Sequence, residues 1–468
     1  MRSRLAVALL ALLLAGCGTE AAKPEPDARS ARAEADRFRS VGALRAPGVT
    51  IRRRARGTAP GHIFLTPMKG AGQDGPMIVD DDGSLVWFRP LSGGRVATDL
   101  RVQEYRGAPV LTWWEGRLAG GGGNGEYVIA DSSYREIARV RAQNGLAGDL
   151  HEFELSPEGT ALFTIYRTVR GGSVVDGVIQ EVDVATGRLL LEWSALDHVP
   201  PRESYKERSR RPWDYIHLNS IDVDTDGDLL VGARNTHAVY KLDRETGRVL
   251  WTLGGKASDF RMGAGTRFAW AHDARRQRDG TITIFDNAAR PIVRDESRGL
   301  VLRVDERRRR VRLVRAYRHP GGLLAPVQAG MQRLPNGNAF IGWGSTGYFS
   351  EHGPRGGLRF DARFTDPANG SYRAYRFPWT GRPADPPAVA VAREGARTTV
   401  YASWNGATEV ARWRVLAGPS ADALAPAGTA PRRGFETAVT VSTSEPLVAV
   451  EALGAGGEVL GVSGPVRR

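Results

Sequence analysis

The sequence predicts an all-β protein, a six-bladed β-propeller followed by a small C-terminal β-sandwich. Beyond residue 62, short runs of Val, Ile, Leu, Phe, Trp and Tyr are interrupted by Asp-Gly, Asn-Gly and Thr-Gly pairs, which is the pattern of β-hairpins. No long segment with helical periodicity competes with this pattern. The hairpins also recur at about 40 to 55 residues, which is the size of one propeller blade.

Residues 1–16 predict a cleaved export signal, because two arginines precede a leucine and alanine run that is too short to span a bilayer. The run ends in Leu-Ala-Gly-Cys17, which resembles a bacterial lipobox. We therefore expect an exported lipoprotein, anchored through lipidated Cys17 on the extracytoplasmic face of a bacterial cell membrane. An ordinary signal peptide is the alternative. Cys17 is the single cysteine, so no intrachain disulfide can form.

Residues 17–58 predict a flexible tether between the lipid and the folded domain. Their first half is rich in Ala, Glu, Pro and Arg and has few aromatic residues. Such a composition buries too little apolar surface to fold alone.

Residues 59–380 contain the repeat that predicts the propeller. In each unit a strand, a glycine turn and a second strand are followed by a Val-x-Asp element, a turn and a further strand. A closed ring of such units would leave few exposed sheet edges. The six predicted blades span roughly residues 60–93, 97–142, 150–196, 215–255, 269–317 and 326–377.

The C-terminal part of the chain predicts a separate small domain. Residues 381–395 are proline-rich and are predicted to be a linker. Residues 396–468 alternate apolar and polar residues between Gly and Pro turns, which is typical of a sandwich of the immunoglobulin or fibronectin kind. This segment has no His or Cys, so we expect it to pack or bind and not to catalyse.

The formal net charge of +13 raises nucleic acid as a partner. Only five of the 65 basic residues are lysines, however, and the arginines are scattered between acidic residues along the whole chain. No nucleic-acid-binding motif accompanies them. The charge therefore indicates a compositional bias, and we do not predict nucleic acid as a partner.

Three histidines occupy equivalent places in successive repeats. His151 and His272 each lie eight residues before the turn glycine of their unit, and His217 lies ten before its own. In a propeller the start of each innermost strand faces the central channel, so these side chains can converge there. Arg234 follows the next strand after His217 and is the natural anion ligand beside them.

These residue types favour chemistry on a tetrahedral oxyanion such as sulfate or phosphate. An imidazole can attack an electrophile or transfer a proton near neutral pH, and a guanidinium stabilises negative charge on oxygen. Zinc or iron is less favoured, because the histidines come from separate repeats without a short ligand spacing. No metal and no cofactor are therefore expected.

Two other motifs were weighed. Asp222, Asp224 and Asp226 resemble a calcium loop, but Ala233 stands where a bidentate Glu is expected, so a β-turn is the favoured interpretation. The glycine run at 118–127 lacks the Lys-Ser/Thr of a phosphate loop and is predicted to be a flexible connection between strands.

Several segments resemble the PAPS-independent arylsulfotransferase family in the form common in actinobacteria, including PWDYIHLNSIDVDTDGDLLVGARNTHAVYKLD, ARRQRDGTITIFDNAAR and QRLPNGNAFIGWG. The resemblance covers roughly residues 38–380 and is most specific around His217 to Arg234. It implies a six-bladed propeller that moves a sulfuryl group from an aryl sulfate donor to a phenolic acceptor by a ping-pong route through a sulfohistidine. The enteric type differs in having an N-terminal domain and a disulfide.

By motif, the resemblance implies His272 as the nucleophile. His217 and Arg234 match sulfate-binding residues, Asn219 lies in the same motif and His151 matches a further channel histidine. Trp270 and Tyr215 are adjacent and are predicted to contact the aryl ring, with packing in the core as the alternative interpretation. The alternative function is a non-catalytic propeller lipoprotein that binds an anionic ligand or acts as a cell-surface scaffold.

Overall fold

A computed structural model describes residues 36–169, 171–208, 211–395 and 397–468. Within these residues the protein is almost entirely β, as the sequence predicts. The predicted export signal, Cys17 and the first part of the tether lie outside the described residues. No helix in the described ranges is long and apolar enough to cross a membrane. The described part of the chain contains α1 (Ala195–His198) and three 3-10 helices (Pro201–Glu203, Gly344–Thr346 and Ala421–Ala423).

The strands are numbered in chain order. Those up to residue 377 are β1 (Asp36–Arg37), β2 (Arg45–Ala46), β3 (Val49–Arg54), β4 (His62–Leu65), β5 (Pro67–Met68), β6 (Met77–Val79), β7 (Leu85–Phe88), β8 (Val96–Tyr105), β9 (Ala108–Ala119), β10 (Gly122–Ala130), β11 (Glu136–Val140), β12 (Phe153–Leu155), β13 (Thr160–Val169), β14 (Val174–Asp183), β15 (Leu189–Ser194), β16 (Trp213–Asp214), β17 (Leu218–Val223), β18 (Leu229–Ala233), β19 (Ala238–Leu242), β20 (Val249–Gly254), β21 (Arg261–Met262), β22 (His272–Arg276), β23 (Thr281–Asp286), β24 (Arg298–Asp305), β25 (Arg310–Tyr317), β26 (Gly330–Arg333), β27 (Ala339–Gly342), β28 (Tyr348–His352), β29 (Leu358–Phe364), β30 (Gly370–Ser371) and β31 (Tyr375–Phe377).

Apart from two short pairs, β1-β2 and β5-β30, these strands form six successive sheets, each built on four antiparallel strands. Sheet 1 has the order β31-β4-β6-β7, and sheet 2 the order β8-β9-β10-β11. Sheets 3, 4 and 5 are β12 to β15, β17 to β20 and β22 to β25, with the short strands β16 and β21 added to sheets 3 and 5. Sheet 6 has the order β26-β27-β28-β29-β3.

The predicted glycine turns are present and close one hairpin in each of five sheets. In each turn the glycine has a left-handed φ, which suits a residue without a Cβ, and its N–H donates to the carbonyl oxygen three residues earlier at 2.8 to 3.0 Å. In sheets 3 to 6 the turn joins the first two strands, whereas in sheet 1 it joins the last two. The five glycines are Gly83, Gly159, Gly227, Gly280 and Gly337.

The difference in sheet 1 arises because its first strand comes from the far end of the repeat region. Strand β31 pairs with β4, and β30 pairs with β5, where the Thr66 N–H donates to the Ser371 hydroxyl at 2.9 Å. The predicted boundaries of the first and sixth units are therefore wrong at this point. Residues 375–377 belong to the first sheet and not to the sixth.

Strand β3 shows that part of the predicted tether is folded. It pairs with β29 as the fifth strand of sheet 6, and Phe38 packs on Phe435 with ring centroids 4.4 Å apart. The prediction of a flexible tether is wrong for residues 36–58, because their apolar side chains join the core shared by sheets 1 and 6.

The inner strands of the sheets converge on one buried arginine. Arg373 lies just before β31 and is fully buried. Its guanidinium contacts residues of sheets 2, 3, 4 and 5, so the inner edges of these sheets surround a common axis. The partners are Asp99 at 3.0 Å, Glu152 at 3.2 Å, the Asn219 carbonyl oxygen at 2.8 Å and Asp273 at 3.6 Å.

The C-terminal residues form two sheets around one core, as predicted for a sandwich. One sheet has the order β32-β33-β36, and the other has β35-β34-β37-β38 with β39 paired to β37. Strand β32 lies in the predicted linker, so the linker prediction is wrong from residue 388 onward. The strands are β32 (Ala388–Glu394), β33 (Arg397–Ser403), β34 (Arg412–Gly418), β35 (Ala425–Pro431), β36 (Glu436–Ser442), β37 (Leu447–Leu453), β38 (Val459–Val462) and β39 (Val466–Arg467).

This sandwich packs against the first two sheets. The Asn405 amide exchanges two hydrogen bonds with the Phe88 backbone, both at 2.9 Å, and the Tyr134 hydroxyl donates to the Gly406 carbonyl at 2.7 Å. The described residues accordingly form one compact unit.

Candidate active site

A cavity of about 450 Å³ brings the predicted chemical residues together. His151, His217, Arg234 and His272 all contribute to its wall, from sheets 3, 4 and 5 and the segments beside them. Its lining residues are Lys69, Leu118, Ala119, Gly120, Gly121, Gly122, Leu150, His151, Lys206, Asp214, His217, Arg234, His272, Val327, Gln328 and Tyr372.

His272 is held in one tautomer by an amide. Its Nδ1 lies 2.7 Å from the Asn287 Oδ1, and the Asn287 Nδ2 donates to the carbonyl oxygens of Ala325 and Gln328 at 2.8 and 2.9 Å. These two donations fix which end of the amide faces the imidazole. Since an amide oxygen can only accept, Nδ1 carries the proton and Nε2 keeps its lone pair.

The environment also keeps the His272 ring neutral. Burial lowers its pKa well below the ordinary value, and the nearby Arg234 charge lowers it further. A neutral imidazole with a free lone pair on Nε2 is a nucleophile.

His217 has a carboxylate partner instead. Its Nδ1 donates to Asp214 Oδ2 at 2.5 Å. Burial lowers the pKa of His217 to about 4, although Asp214 acts in the opposite direction. The residue has a left-handed φ of 57°, and β17 is bulged between Leu218 and Ser220, so the side chain leaves the regular alternation of the strand.

His151 has a second carboxylate partner. Its Nδ1 donates to Asp149 Oδ2 at 2.5 Å, and the other Asp149 oxygen accepts the Gly123 N–H at 2.8 Å. A Cβ at Gly122 would lie 2.5 Å from the same oxygen, so the backbone needs glycine there. The glycine run predicted to be a flexible connection is therefore mostly the β9–β10 hairpin, and it supports the His151 partner.

The two carboxylate-paired histidines face each other. The rings of His151 and His217 lie 4.7 Å apart at 78°. Their Asp partners can support a positive charge on either ring, which the amide of Asn287 cannot do equally well. The site thus has one histidine whose Nδ1 is bound to an amide and two whose Nδ1 is bound to a carboxylate.

Arg234 is a half-buried cation whose Nε is buried. Its Nη1 donates to the Asn235 Oδ1 at 2.9 Å, and its guanidinium lies 4.9 Å from the Trp270 ring centroid. Among the described residues no carboxylate lies within ion-pair distance of it. Burial lowers its pKa, but a guanidinium stays protonated in proteins. Such a cation is suited to bind an anion.

Three predicted ligand contacts lie outside the cavity wall. Asn219 is fully buried and donates from Nδ2 to the carbonyl oxygen of Ala271, so it positions the backbone next to His272. Tyr215 is buried in the core and donates to the Val199 carbonyl at 3.1 Å. Trp270 lies beside Arg234 and supports it.

The sequence analysis missed the partners of the histidines. Asp149 and Asp214 precede their histidines by two and three residues, and this D-x-H and D-x-x-H spacing is the signal that could have identified them. Asn287 gives no such signal, because the β22–β23 hairpin brings it to His272 from 15 residues away. Tyr372, also missed, provides the aromatic surface in the cavity.

The acidic turn at 222–228 is neutralised by protein cations. The Lys241 ammonium lies 3.2 Å from Asp224 and also contacts Asp226, and Arg276 Nε lies 2.8 Å from Asp224. The β-turn interpretation therefore accounts for these carboxylates.

Comparison with known proteins gives one family. Residues 101–365 match the model of a family described as arylsulfotransferase (ASST). No curated protein matches the chain. A solved protein of unknown function from Bacteroides caccae is similar at 16% identity and a TM-score of 0.44, covering 68% of this chain and 100% of that chain. A catalytically inactive virginiamycin B lyase from Staphylococcus aureus with quinupristin is similar at 11% identity and a TM-score of 0.37, covering 76% and 97%.

Proposed function

Because the chain belongs to the arylsulfotransferase (ASST) family, we propose that it transfers a sulfuryl group from a phenolic sulfate ester to a phenolic acceptor. The reaction runs by a ping-pong mechanism through a sulfohistidine at His272, and it requires no cofactor. The observation that carries this proposal is the His272 tautomer, because Asn287 leaves the lone pair on Nε2 in a cavity that also contains Arg234.

The proposal includes the architecture. Six successive four-stranded sheets, a first sheet closed by the last strand and inner edges that meet at Arg373 support a six-bladed β-propeller. The cavity then occupies one mouth of the central channel.

In the first half-reaction the sulfuryl oxygens of the donor lie against Arg234 and the rings of His217 and His151. His272 Nε2 attacks sulfur in line with the aryl oxygen, so the N–S bond forms as the S–O bond breaks. The departing phenolate takes a proton from whichever of His151 and His217 is protonated, and the paired Asp stabilises that imidazolium. An arriving sulfate anion favours the protonated form.

The second half-reaction reverses these steps. A phenol enters the place that the first product left, and the histidine that lost its proton accepts the new one. The phenol oxygen attacks sulfur, the N–S bond breaks and His272 returns as a neutral imidazole. Asn287 keeps the proton on Nδ1 throughout, so the ring is regenerated in the reactive tautomer.

The overall function is tested by incubating the purified protein with 4-nitrophenyl sulfate and phenol. Release of nitrophenol that depends on phenol, together with formation of phenyl sulfate, supports the transferase. Binding of the sulfate ester without release would instead favour the anion-binding scaffold.

Replacing Asn287 with aspartate is expected to make the donor reaction sensitive to acid. A carboxylate beside Nδ1 favours the imidazolium and raises the pKa of His272, whereas burial and Arg234 now hold that pKa low. Protonation of the nucleophile would then begin at a higher pH than in the wild-type protein, and kcat/KM for the donor would fall several-fold as the pH is lowered to about 5. The wild-type protein should keep its rate at that pH. The measurement is the pH profile of nitrophenol release.

Asn287→Ala serves as the comparison in that experiment. It removes the tautomer lock without adding charge, so the rate should fall at every pH with no shift of the profile. Identical profiles for the aspartate variant and the wild-type protein would contradict the assigned tautomer.

We further propose that the protein is exported and anchored to the membrane through lipidated Cys17. The support is the lipobox-like sequence before Cys17. Cys17→Ser is expected to move the protein from the membrane fraction to the soluble extracytoplasmic fraction, as measured by immunoblot of fractionated cells. Ser3→Ala in the same signal is the matched control and should leave the protein with the membrane. Unchanged membrane association of Cys17→Ser would refute the anchor.

A further inference from the structure

We propose that the aryl compounds processed at this site carry a second anionic group, held by Lys69 and Lys206 at the rim of the cavity. The inference rests on the proposed function and specifies its substrate class. The second group, a carboxylate, sulfonate or sulfate, lies on the part of the ring remote from the reacting oxygen. Both half-reactions use the same aryl site, so the preference applies to donor and acceptor alike.

The charges around the cavity support this class. Its lining contains three permanent cations, Lys69, Lys206 and Arg234, and a single carboxylate, Asp214. A sulfate monoester has one negative charge, and it leaves one of the cations without compensation. A second anionic group balances the charge of the lining, and complementary charge favours specific binding.

Lys206 is placed by its backbone. Its N–H donates to the Ser204 hydroxyl at 3.1 Å, and its carbonyl oxygen accepts the Trp213 indole N–H at 3.1 Å. The neighbouring Tyr205 stacks on His237 with ring centroids 4.1 Å apart. The side chain is half-exposed, so a fixed backbone presents a cation to the cavity.

The Lys206 segment is also connected to the anion-binding arginine. His237 packs edge-to-face on Trp270 at 4.4 Å, and Trp270 in turn supports Arg234. Tyr205 stacks on His237, so ring contacts run from the segment of Lys206 to the anion-binding cation. Lys206 and Arg234 are therefore held at a fixed distance from each other, as is needed to bind two anionic groups on one rigid ring.

Lys206 still has hydrogen-bond donors for a ligand. Its ammonium lies 3.7 Å from Asp214 Oδ2, which is too long for a hydrogen bond, and that oxygen already accepts the His217 proton at 2.5 Å. A carboxylate on the substrate can therefore accept from Lys206 without displacing the His217 partner.

Lys69 reaches the cavity from another part of the wall. It follows β5, has a left-handed φ of 77° and donates its N–H to Asp74 Oδ1 at 3.2 Å. Within the described ranges no carboxylate forms an ion pair with its ammonium. A side chain in this backbone conformation is uncommon, and here it carries the cation to the rim.

The arginine-rich composition of the chain does not explain why Lys69 and Lys206 both line this cavity. The chain has five lysines among 65 basic residues, yet two of them line this one cavity. A third, Lys256, donates to the Ser204 and Arg202 carbonyl oxygens and so fixes the segment before Lys206.

The experiment compares two acceptors that differ in charge at one position, 4-hydroxybenzoate and its neutral methyl ester, with 4-nitrophenyl sulfate as donor. In the wild-type protein we expect kcat/KM to be about tenfold higher for the carboxylate, a preference that weakens as salt is added. In the double variant Lys69→Met and Lys206→Met the preference should disappear, while transfer to the methyl ester continues. The charge-preserving pair Lys69→Arg and Lys206→Arg should retain it.

Equal use of both acceptors by the wild-type protein, or a preference that survives in the methionine variant, would overturn the inference while leaving the transferase intact. Absence of transfer to either acceptor would count against the proposed function.

A binding measurement then tests the rim independently of turnover. Benzenesulfonate and 4-sulfobenzoate have an unreactive C–S bond. By calorimetry, the dianion 4-sulfobenzoate should bind the wild-type protein about tenfold more tightly than the monoanion benzenesulfonate does. In the methionine variant the two ligands should bind with equal affinity. Equal affinities in the wild-type protein would refute the two-lysine site.

Discussion

Replacing His272 with alanine is expected to abolish sulfuryl transfer, with donor turnover falling at least ~10⁴-fold. The variant lacks the ring whose Nδ1 is bound to an amide and whose Nε2 lone pair is free to attack. His151 and His217 are not expected to replace it, because they lie elsewhere on the wall and their carboxylate partners suit them to proton transfer. The measurement is nitrophenol release from 4-nitrophenyl sulfate.

A mass measurement with the donor alone locates the covalent group. Cleavage after arginine puts the three histidines in separate peptides, at 142–167, 211–234 and 268–275, and each peptide contains a single histidine. Without an acceptor, the peptide at 268–275 should gain the mass of one SO₃ group, and the adduct should be lost in acid.

Two controls make this prediction specific. His62 is also paired with an aspartate, at 2.7 Å, but lies outside the cavity, so His62→Ala should keep full activity. His272→Gln preserves most of the side-chain volume and should be folded yet inactive. An adduct on either of the other two peptides, or turnover by a folded His272→Gln, would contradict the nucleophile assignment.

Replacing Arg234 with glutamine is expected to lower kcat/KM for the donor by ~10²- to 10³-fold. The guanidinium has no carboxylate partner among the described residues, so its charge is available to hold the sulfuryl oxygens while the S–O bond breaks. The loss should appear in the donor half-reaction, measured by single-turnover release of nitrophenol.

Stability distinguishes this role from a structural one. A charge that is partly removed from water without a carboxylate partner costs free energy of folding, so Arg234→Gln should melt at the same temperature as the wild-type protein or at a higher one. Exposed Arg312 is the matched control, and Arg312→Gln should change neither rate nor melting temperature. A less stable Arg234→Gln with a normal donor rate would contradict the anion-binding role.

The sequence predicted local features of the fold well and distant pairings poorly. Glycine turns such as the one at Gly227 are local, and they revealed the hairpins and their spacing. Strand β31 is three residues long and has no hairpin partner nearby, so nothing local assigned it to β4. Strand β3 was missed for the same reason, since it pairs with β29 from the other end of the repeat region.

The residues of the site were likewise predicted where the sequence signal was regular and missed where the backbone is irregular. Register within the repeat brought His151, His217 and His272 to one cavity, because equivalent positions of successive sheets face a common axis. Alternation along a strand would also place Tyr215 and Asn219 on the side of His217, but the left-handed φ of His217 and the bulge after Leu218 break the alternation. Such backbone irregularities depend on tertiary contacts and have no simple sequence signal.

The strand that closes the first sheet also sets when the protein can fold. The bond between Thr66 and Ser371 joins residues 305 apart, and sheet 1 lacks its first strand until β31 is available. Contacts of this range give a high contact order, so a nascent chain emerging from the ribosome can form hairpins but cannot complete sheet 1 until residue 377 has been made. Until then, β4 remains an edge open to pairing with other chains, as does β3 until β29 has been made.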